Sequence, residues 1–178
     1  PTAYASLLYA HSVAPLGGHT QYADMRGAYD ALPETLKQRL EGLLAEHSLV
    51  YSRAKLGFTD FNEQERRDFT PVVRPLVRTL ADSARRSLYL ASHIGKIRGM
   101  ADGEALALVA ELVAHATQPQ FVYTHRWRVG DLVMWDNRCT MHRGTQFEDT
   151  RWKRDMHRVT TSDRLDAFGI PECEQHTT

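Results

Sequence analysis

The chain opens on an apolar run. Tyr4, Leu7, Leu8, Tyr9 and Val13 alternate poorly, the pattern of a strand buried on both faces. Pro15, Gly17 and Gly18 break the run, and residues 19–23 read as a short second strand. Asp24 is placed to cap a helix through Met25, Ala28 and Tyr29. Pro33 suits a first helical turn, and Leu36, Leu40, Leu43 and Leu44 form an apolar stripe behind it. Over residues 51–75 the pattern loosens and charge gathers at Arg53, Lys55, Glu63, Glu65, Arg66, Arg67 and Asp68. Roughly 20 unpatterned residues inside a compact domain usually form a functional lid or loop.

Beyond this stretch, residues 76–79 and 87–90 read as strands flanking a polar turn. Asp102 is placed to cap a helix whose stripe is Leu106, Val109, Leu112, Val113 and Ala116. Residues 121–127 and 132–135 read as strands around a turn at Val129, Gly130 and Asp131, and residues 155–161 alternate strongly. After Ser162 the chain becomes a polar tail expected to fray. Several short strands with a few helices outside predict a β-sandwich or barrel of jelly-roll kind.

Composition narrows the class. With 178 residues, 42% of them hydrophobic and 25% charged, the chain can bury one core, which excludes disordered and collagen-like classes. Lys+Arg and Asp+Glu are both 22 and the pI is near 7.6, so no global field gathers nucleic acid or an anionic membrane. Apolar runs fall far short of the ~18 residues of a membrane span. No charged leader followed by an apolar stretch is present, and two cysteines, Cys139 and Cys173, suit a reducing cytoplasm. The neutral surface permits a homo-oligomer. The start at Pro1 reads as a piece of a longer chain.

Nine histidines are many for this length. His47 and His115 are expected near helix C-termini, where a partly charged ring suits the dipole. His11 and His176 lack patterned neighbours, whereas His19, His93, His125, His142 and His157 lie on or beside strand signals. No H-E-x-x-H, C-x-x-C, nucleophile elbow or phosphate loop occurs. Cys139 reads as a packing residue. The densest polar segment is residues 135–144, followed by Arg151, Lys153, Arg154 and Arg158. On a strand, Arg154, Met156 and Arg158 share one face. Turned into a barrel, the two arginines would hold one or two carboxylates bidentately; turned outward, they are merely solvated.

Gly17-Gly18-His19-Thr20, Ala23-Asp24-Met25-Arg26, Trp135-Asp136-Asn137-Arg138, and the segment from Met141-His142-Arg143 to Arg154 and Arg158 resemble the iron(II)- and 2-oxoglutarate-dependent dioxygenases of the taurine dioxygenase type. Glu41-Gly42-Leu43, Ala45-Glu46-His47-Ser48, residues 75–79 and residues 129–134 are similar to the branch that degrades the phenoxyacetate herbicide 2,4-D. The resemblance implies a mainly β fold with flanking helices, a double-stranded β-helix (jelly roll) incomplete in this chain. Residues 1–163 would form its C-terminal portion and residues 164–178 a polar tail.

It also implies roles. His142 resembles the distal histidine of the 2-His-1-carboxylate triad that holds Fe(II). Arg154 and Thr20 are similar to the residues that hold the far carboxylate of 2-oxoglutarate, with Trp135 a wall of that pocket. Arg158 resembles the arginine that meets the acid group of the substrate, and His93 a histidine of the herbicide branch that touches substrate. The expected partners are a small-molecule carboxylate and O2. The expected reaction cleaves a phenoxyalkanoate to a phenol and glyoxylate, with release of succinate and CO2.

The sequence departs from the family at one point. The other two iron ligands form a His-x-Asp pair, and no histidine here has Asp or Glu two residues on. In the family that pair precedes a segment like Pro1-Thr2-Ala3-Tyr4, so it is expected just upstream; the alternative is a true truncation that cannot hold iron. Rival substrates are taurine, an alkylsulfonate or an alkyl sulfate. Rival classes are a non-catalytic jelly-roll module binding an organic acid, and a structural domain with a solvated basic strand.

Overall fold

The computed structural model describes residues 3–55, 57–58, 60–62, 64–65, 69–165 and 171–177, with side chains through residue 162. Two compact units emerge: Pro1–Asp24 with Val122–Thr178, and Met25–Phe121. In chain order the elements are β1 (Ala3–Ser12), β2 (Thr20–Asp24), α1 (Met25–Asp30), α2 (Glu34–Leu40), β3 (Leu44–His47), α3 (Leu49–Ala54), β4 (Val72–Pro75), β5 (Val77–Thr79), β6 (Arg86–Leu88) and β7 (Ile94–Ile97). Then follow α4 (Asp102–Ala116), β8 (Val122–His125), β9 (Leu132–Asp136), β10 (Thr140–Gly144), β11 (Asp155–Leu165) and β12 (Pro171–Thr177).

The first unit carries two antiparallel sheets, ordered β12-β11-β1-β9 and β10-β2-β8. β1 is central in its sheet, with Leu8 opposite both Arg158 and Val133. Ser6, Leu8 and Ala10 are buried, while Tyr9, Leu132 and Met134 are exposed. The expected two-sided burial of β1 is therefore one-sided, as in an antiparallel sheet with a single packed face. Leu8, Ala10, Trp135 and Met156 from the four-stranded sheet pack with Tyr22 of β2 and with Trp127. That shared cluster makes the two sheets the walls of one jelly-roll interior.

In the first unit two strands escaped the sequence pattern, as did β3, β4 and β7 of the second, whose ranges are given above. β10 (Thr140–Gly144) has Met141 as its only aliphatic side chain, so nothing alternates. In the expected tail, Pro171–Thr177 pairs with β11 instead of fraying.

In the second unit, β3 lies between β4 and β7, and β5 pairs with β6. The stripe from Leu36 to Leu44 breaks at Gly42 (φ 73°), so α2 ends at Leu40 and Leu44 starts β3. His47 accordingly ends a strand, not a helix. α4 buries Ala105, Leu108, Leu112 and Ala116, so Leu112 and Ala116 of the expected stripe hold while Ala105 and Leu108 take the places read for Leu106 and Val109; Leu106 is exposed. Asp24 directly precedes Met25, the first residue of α1, whereas Asp102, read as a cap, lies in the first turn of α4 with Ala101 at the N-cap; there a carboxylate suits the dipole. His115 does sit in the last turn, its Nε2 bonded to the Ala28 carbonyl at 2.8 Å. Among the described residues no helix is long and apolar enough to cross a membrane.

Candidate functional site: an anion cradle beside a lone metal-type histidine

The site is built outward from β2. Side chains two apart on a strand share a face, and Thr20 and Tyr22 are both buried on the inner one (4% and 7% exposed). Just before them, Gly17 and Gly18 hold φ of 74° and 64°, a region costly for any residue with a Cβ. Space demands glycine as well. A Cβ on Gly17 would lie 2.3 Å from the Gln146 carbonyl oxygen, and one on Gly18 would lie 3.2 Å from Arg154 Cδ. The loop is stitched to the segment after β10. Gly18 N donates to the Gln146 carbonyl (3.2 Å), and His19 N donates to Thr145 Oγ1 (2.9 Å).

Arg154 lies immediately before β11 and donates from Nε to the Gly18 carbonyl at 3.1 Å. That bond fixes the guanidinium plane. Its terminal nitrogens have no protein partner among the described residues. Burial draws Arg154 below its usual range, with Tyr22 opposing. Thr20 Oγ1 accepts from Trp127 Nε1 at 2.9 Å, so the hydroxyl proton is free to donate elsewhere. Burial pushes the Tyr22 phenol up to about 12, opposed by the Thr20 hydroxyl and Arg154. The Tyr22 hydroxyl is buried and has no hydrogen-bond partner.

His142 stands on β10, its Cα opposite that of Tyr22. Its ring packs 4.8 Å from Trp135 and 6.3 Å from Tyr22, centroid to centroid. The residue is exposed as a whole, yet burial of part of the ring lowers its pKa and Arg158 lowers it further. Both effects favour the neutral imidazole, the form that binds a metal. Trp135 is held by a chain of polar groups. Its Nε1 donates to Asn137 Oδ1 (2.9 Å), Asn137 Nδ2 donates to Ser6 Oγ (2.8 Å), and Ser6 Oγ meets Thr160 Oγ1 (3.1 Å). Arg158, two residues from the core Met156, has a buried Nε with no partner. This decides the open orientation of that arginine: it faces inward.

Five of the six residues singled out in the sequence, namely Thr20, Trp135, His142, Arg154 and Arg158, therefore belong to the first unit. His93 belongs to the second, where its ring lies 4.9 Å from His47. His47 lies 5.3 Å from Tyr89, and its Nε2 is buried without a partner. Burial lowers the pKa of both histidines, that of His47 to about 4, with His93 and Arg74 adding to it. Tyr22, Trp127 and Asn137 were not assigned from the sequence. The one signal for Tyr22 was its place two residues after Thr20.

The donor set fits an anion. A tethered guanidinium, a hydroxyl with a free proton and an orphaned phenol offer hydrogens, as a carboxylate requires. Arg154 also lines an open depression of about 450 Å³ with Gly144, Thr145, Gln146, Phe147 and Asp149. A metal is served less fully. No three His, Cys, Asp or Glu side chains converge among the described residues.

The comparisons with known proteins agree with this geometry. The profile "Taurine catabolism dioxygenase TauD, TfdA family" matches residues 2–160. The alpha-ketoglutarate-dependent 2,4-dichlorophenoxyacetate dioxygenase of Cupriavidus pinatubonensis is 51% identical over 92% of this chain and 56% of its own. The (S)-phenoxypropionate/alpha-ketoglutarate-dioxygenase of Sphingobium herbicidovorans is 39% identical over 84% of this chain and 54% of its own. The crystal structure of AAD-2 in complex with Mn(II) and N-oxalylglycine superposes with a TM-score of 0.86 at 48% identity, covering 97% of this chain and 65% of that one. The chain spans little more than half the length of the relatives it matches. From the first strand to the arginines of β11, it belongs to the taurine catabolism dioxygenase TauD, TfdA family.

Proposed function

We propose that this chain is the cosubstrate-holding part of an iron(II)- and 2-oxoglutarate-dependent dioxygenase acting on phenoxyalkanoic acids. The observation that carries the reading is the alignment along β2. Arg154 is tethered at Gly18, Thr20 follows, and His142, its neutral form favoured, stands opposite Tyr22. Thr20 and Tyr22, successive residues on one strand face, are about 6.7 Å apart, a span that suits a five-carbon diacid with its far end at Thr20 and its keto acid end toward His142, which stands opposite Tyr22.

Arg154 and Thr20 hold the far carboxylate and so fix which end of 2-oxoglutarate faces the histidine. His142 contributes one ligand, and a His-x-Asp pair outside residues 1–178 contributes the other two. When bound, iron(II) with 2-oxoglutarate and O2 supplies oxidation of a substrate C–H bond, releasing succinate and CO2; beside an ether oxygen the product collapses to a phenol and glyoxylate. Arg158 pairs with the substrate carboxylate, using the Nε that lacks a protein partner. His93 is assigned to substrate recognition on the family resemblance alone; of residues 51–75, expected as a lid or loop, residues 56, 59, 63 and 66–68 lie outside the described residues. The names of the most similar relatives support a phenoxy acid over a sulfonate. The reducing cytoplasm is the compartment this reading implies.

The test uses the complete protein. Anaerobic iron(II) and 2-oxoglutarate are titrated in the visible, and phenol release from 2,4-dichlorophenoxyacetate is then assayed. A metal-to-ligand band that Arg154→Ala removes, together with O2-dependent phenol release, is expected. Iron(II) binding without any effect of 2-oxoglutarate would overturn the reading.

A further inference from the structure

We propose that the Tyr22 hydroxyl is a third anchor for the far carboxylate of 2-oxoglutarate, donating to it beside Arg154 and Thr20. The inference rests on the proposed function and adds a residue to its cosubstrate site. Tyr22 is 7% exposed, and its hydroxyl is fully buried with no hydrogen-bond partner. Buried polar groups are almost always satisfied, so such an orphan asks what satisfies it. Three facts point to an incoming anion. The hydroxyl shares the inner face of β2 with Thr20, whose oxygen is already used as an acceptor by Trp127 at 2.9 Å. Arg154 is close enough for its charge to act on the phenol, and the phenol on it. Finally, the Arg154 Nε bond to Gly18 turns the unpaired end of the guanidinium away from that carbonyl. The Thr20 and Tyr22 hydroxyls lie close enough to act on one another, and with the guanidinium they present more hydrogens than the protein offers acceptors.

Position separates this role from metal binding. The Tyr22 ring packs 5.3 Å from Trp135 and 6.3 Å from His142, which are 4.8 Å from each other, so the ring closes a cluster with the core tryptophan and the metal-side histidine. Its hydroxyl, by contrast, is the part that senses Thr20 and Arg154. The ring packs, and the oxygen binds.

The experiment is calorimetric binding to the complete Mn(II)-loaded enzyme, comparing wild type with Tyr22→Phe, which deletes one oxygen. The probes are 2-oxoglutarate, N-oxalylglycine, and 2-oxobutyrate, a keto acid without the far carboxylate. A hydrogen bond to a charged group predicts a loss of about tenfold or more for the first two ligands and no change for 2-oxobutyrate. Mn(II) affinity should be unchanged. The KM for 2-oxoglutarate should rise while kcat stays near wild type. Thermal melting without ligand adds a readout of opposite sign, because removing an orphaned hydroxyl should leave Tyr22→Phe as stable as wild type or more so.

Equal affinity for 2-oxoglutarate in the two proteins would overturn the proposal. So would equal losses for 2-oxoglutarate and 2-oxobutyrate, which would mean that the ring acts by packing or at the metal end. If wild type bound Mn(II) but no 2-oxoglutarate, the proposed function would fail first, and the anchor with it.

Discussion

Replacing Gly18 by alanine perturbs the cosubstrate cradle at the point where backbone and guanidinium meet. The residue sits at φ 64°, where a Cβ costs about 1–2 kcal/mol. The added methyl would stand 3.2 Å from Arg154 Cδ, 3.5 Å from its Nε and 3.6 Å from Phe147 Cδ1. Arg154 is the flexible partner, so its side chain moves by a few tenths of an ångström. That shift comes straight out of the 3.1 Å Nε bond to the Gly18 carbonyl. A hydrogen bond from a charged group is worth about 1.5–3 kcal/mol, and losing its alignment forfeits part of this. The expected sum is about 2 kcal/mol in unfolding free energy and a loss of about tenfold in 2-oxoglutarate affinity. Denaturant unfolding and calorimetry on the complete protein measure the two separately. Gly17→Ala is the contrast. Its Cβ would meet the Gln146 backbone oxygen at 2.3 Å, which cannot swing aside, so stability should fall further, by about 3 kcal/mol. If Gly18→Ala lowered stability but bound 2-oxoglutarate like wild type, the Gly18 carbonyl would not be steering Arg154. No loss of stability would refute the strain itself.

Two further outcomes follow from the polar groups. Asn137→Ala removes the acceptor of Trp135 Nε1 and the donor to Ser6, which should cost about 1–3 kcal/mol by thermal or urea unfolding. An unchanged melting temperature would mean that Trp135 is held by packing alone. His47 sets a pH dependence. Its folded pKa of about 4 lies below the ordinary 6.5, so as pH falls the unfolded chain takes up the proton first. Stability is complete above pH 6.5 and declines down to about pH 4, by up to roughly 3 kcal/mol from this residue. His93 adds in the same direction. Urea unfolding of His47→Phe should show a shallower slope across that window than wild type; equal slopes would contradict the assignment.

What was legible in the chain was what the strand period exposes. The alternation around Met156 placed Arg158 on a defined face, and only burial was needed to say which way that face points. Thr20, Trp135 and His142 were legible through local motifs. Tyr22 was not, because a tyrosine in a strand reads as core until Arg154, far along the chain, is brought beside it. β10 was invisible for a related reason. Thr140–Gly144 gains its strand conformation from pairing with β2, not from its own side chains. In α4 the bulk of Leu106 and Val109 drew the start of the stripe one position too far, where the helix buries Ala105 and Leu108; Leu112 and Ala116 were legible as read. His93 was legible only through the family resemblance; what the structure adds is the ring of His47, 4.9 Å away in the second unit.

The strand order of the first unit carries a consequence for synthesis. Among the described residues β1 pairs only with β9 and β11, and β2 only with β8 and β10, so every neighbour of the first two strands comes from beyond residue 121. All four of these pairings are long-range, the slow kind, in which a large loop must close before any contact rewards it. The strands of residues 25–121 pair among themselves and can form while the ribosome is still working. Within residues 1–178, then, β1 and β2 meet their partners only after the whole of residues 25–121 has been made, so the first unit closes after a second one that can already be in place in the chain order.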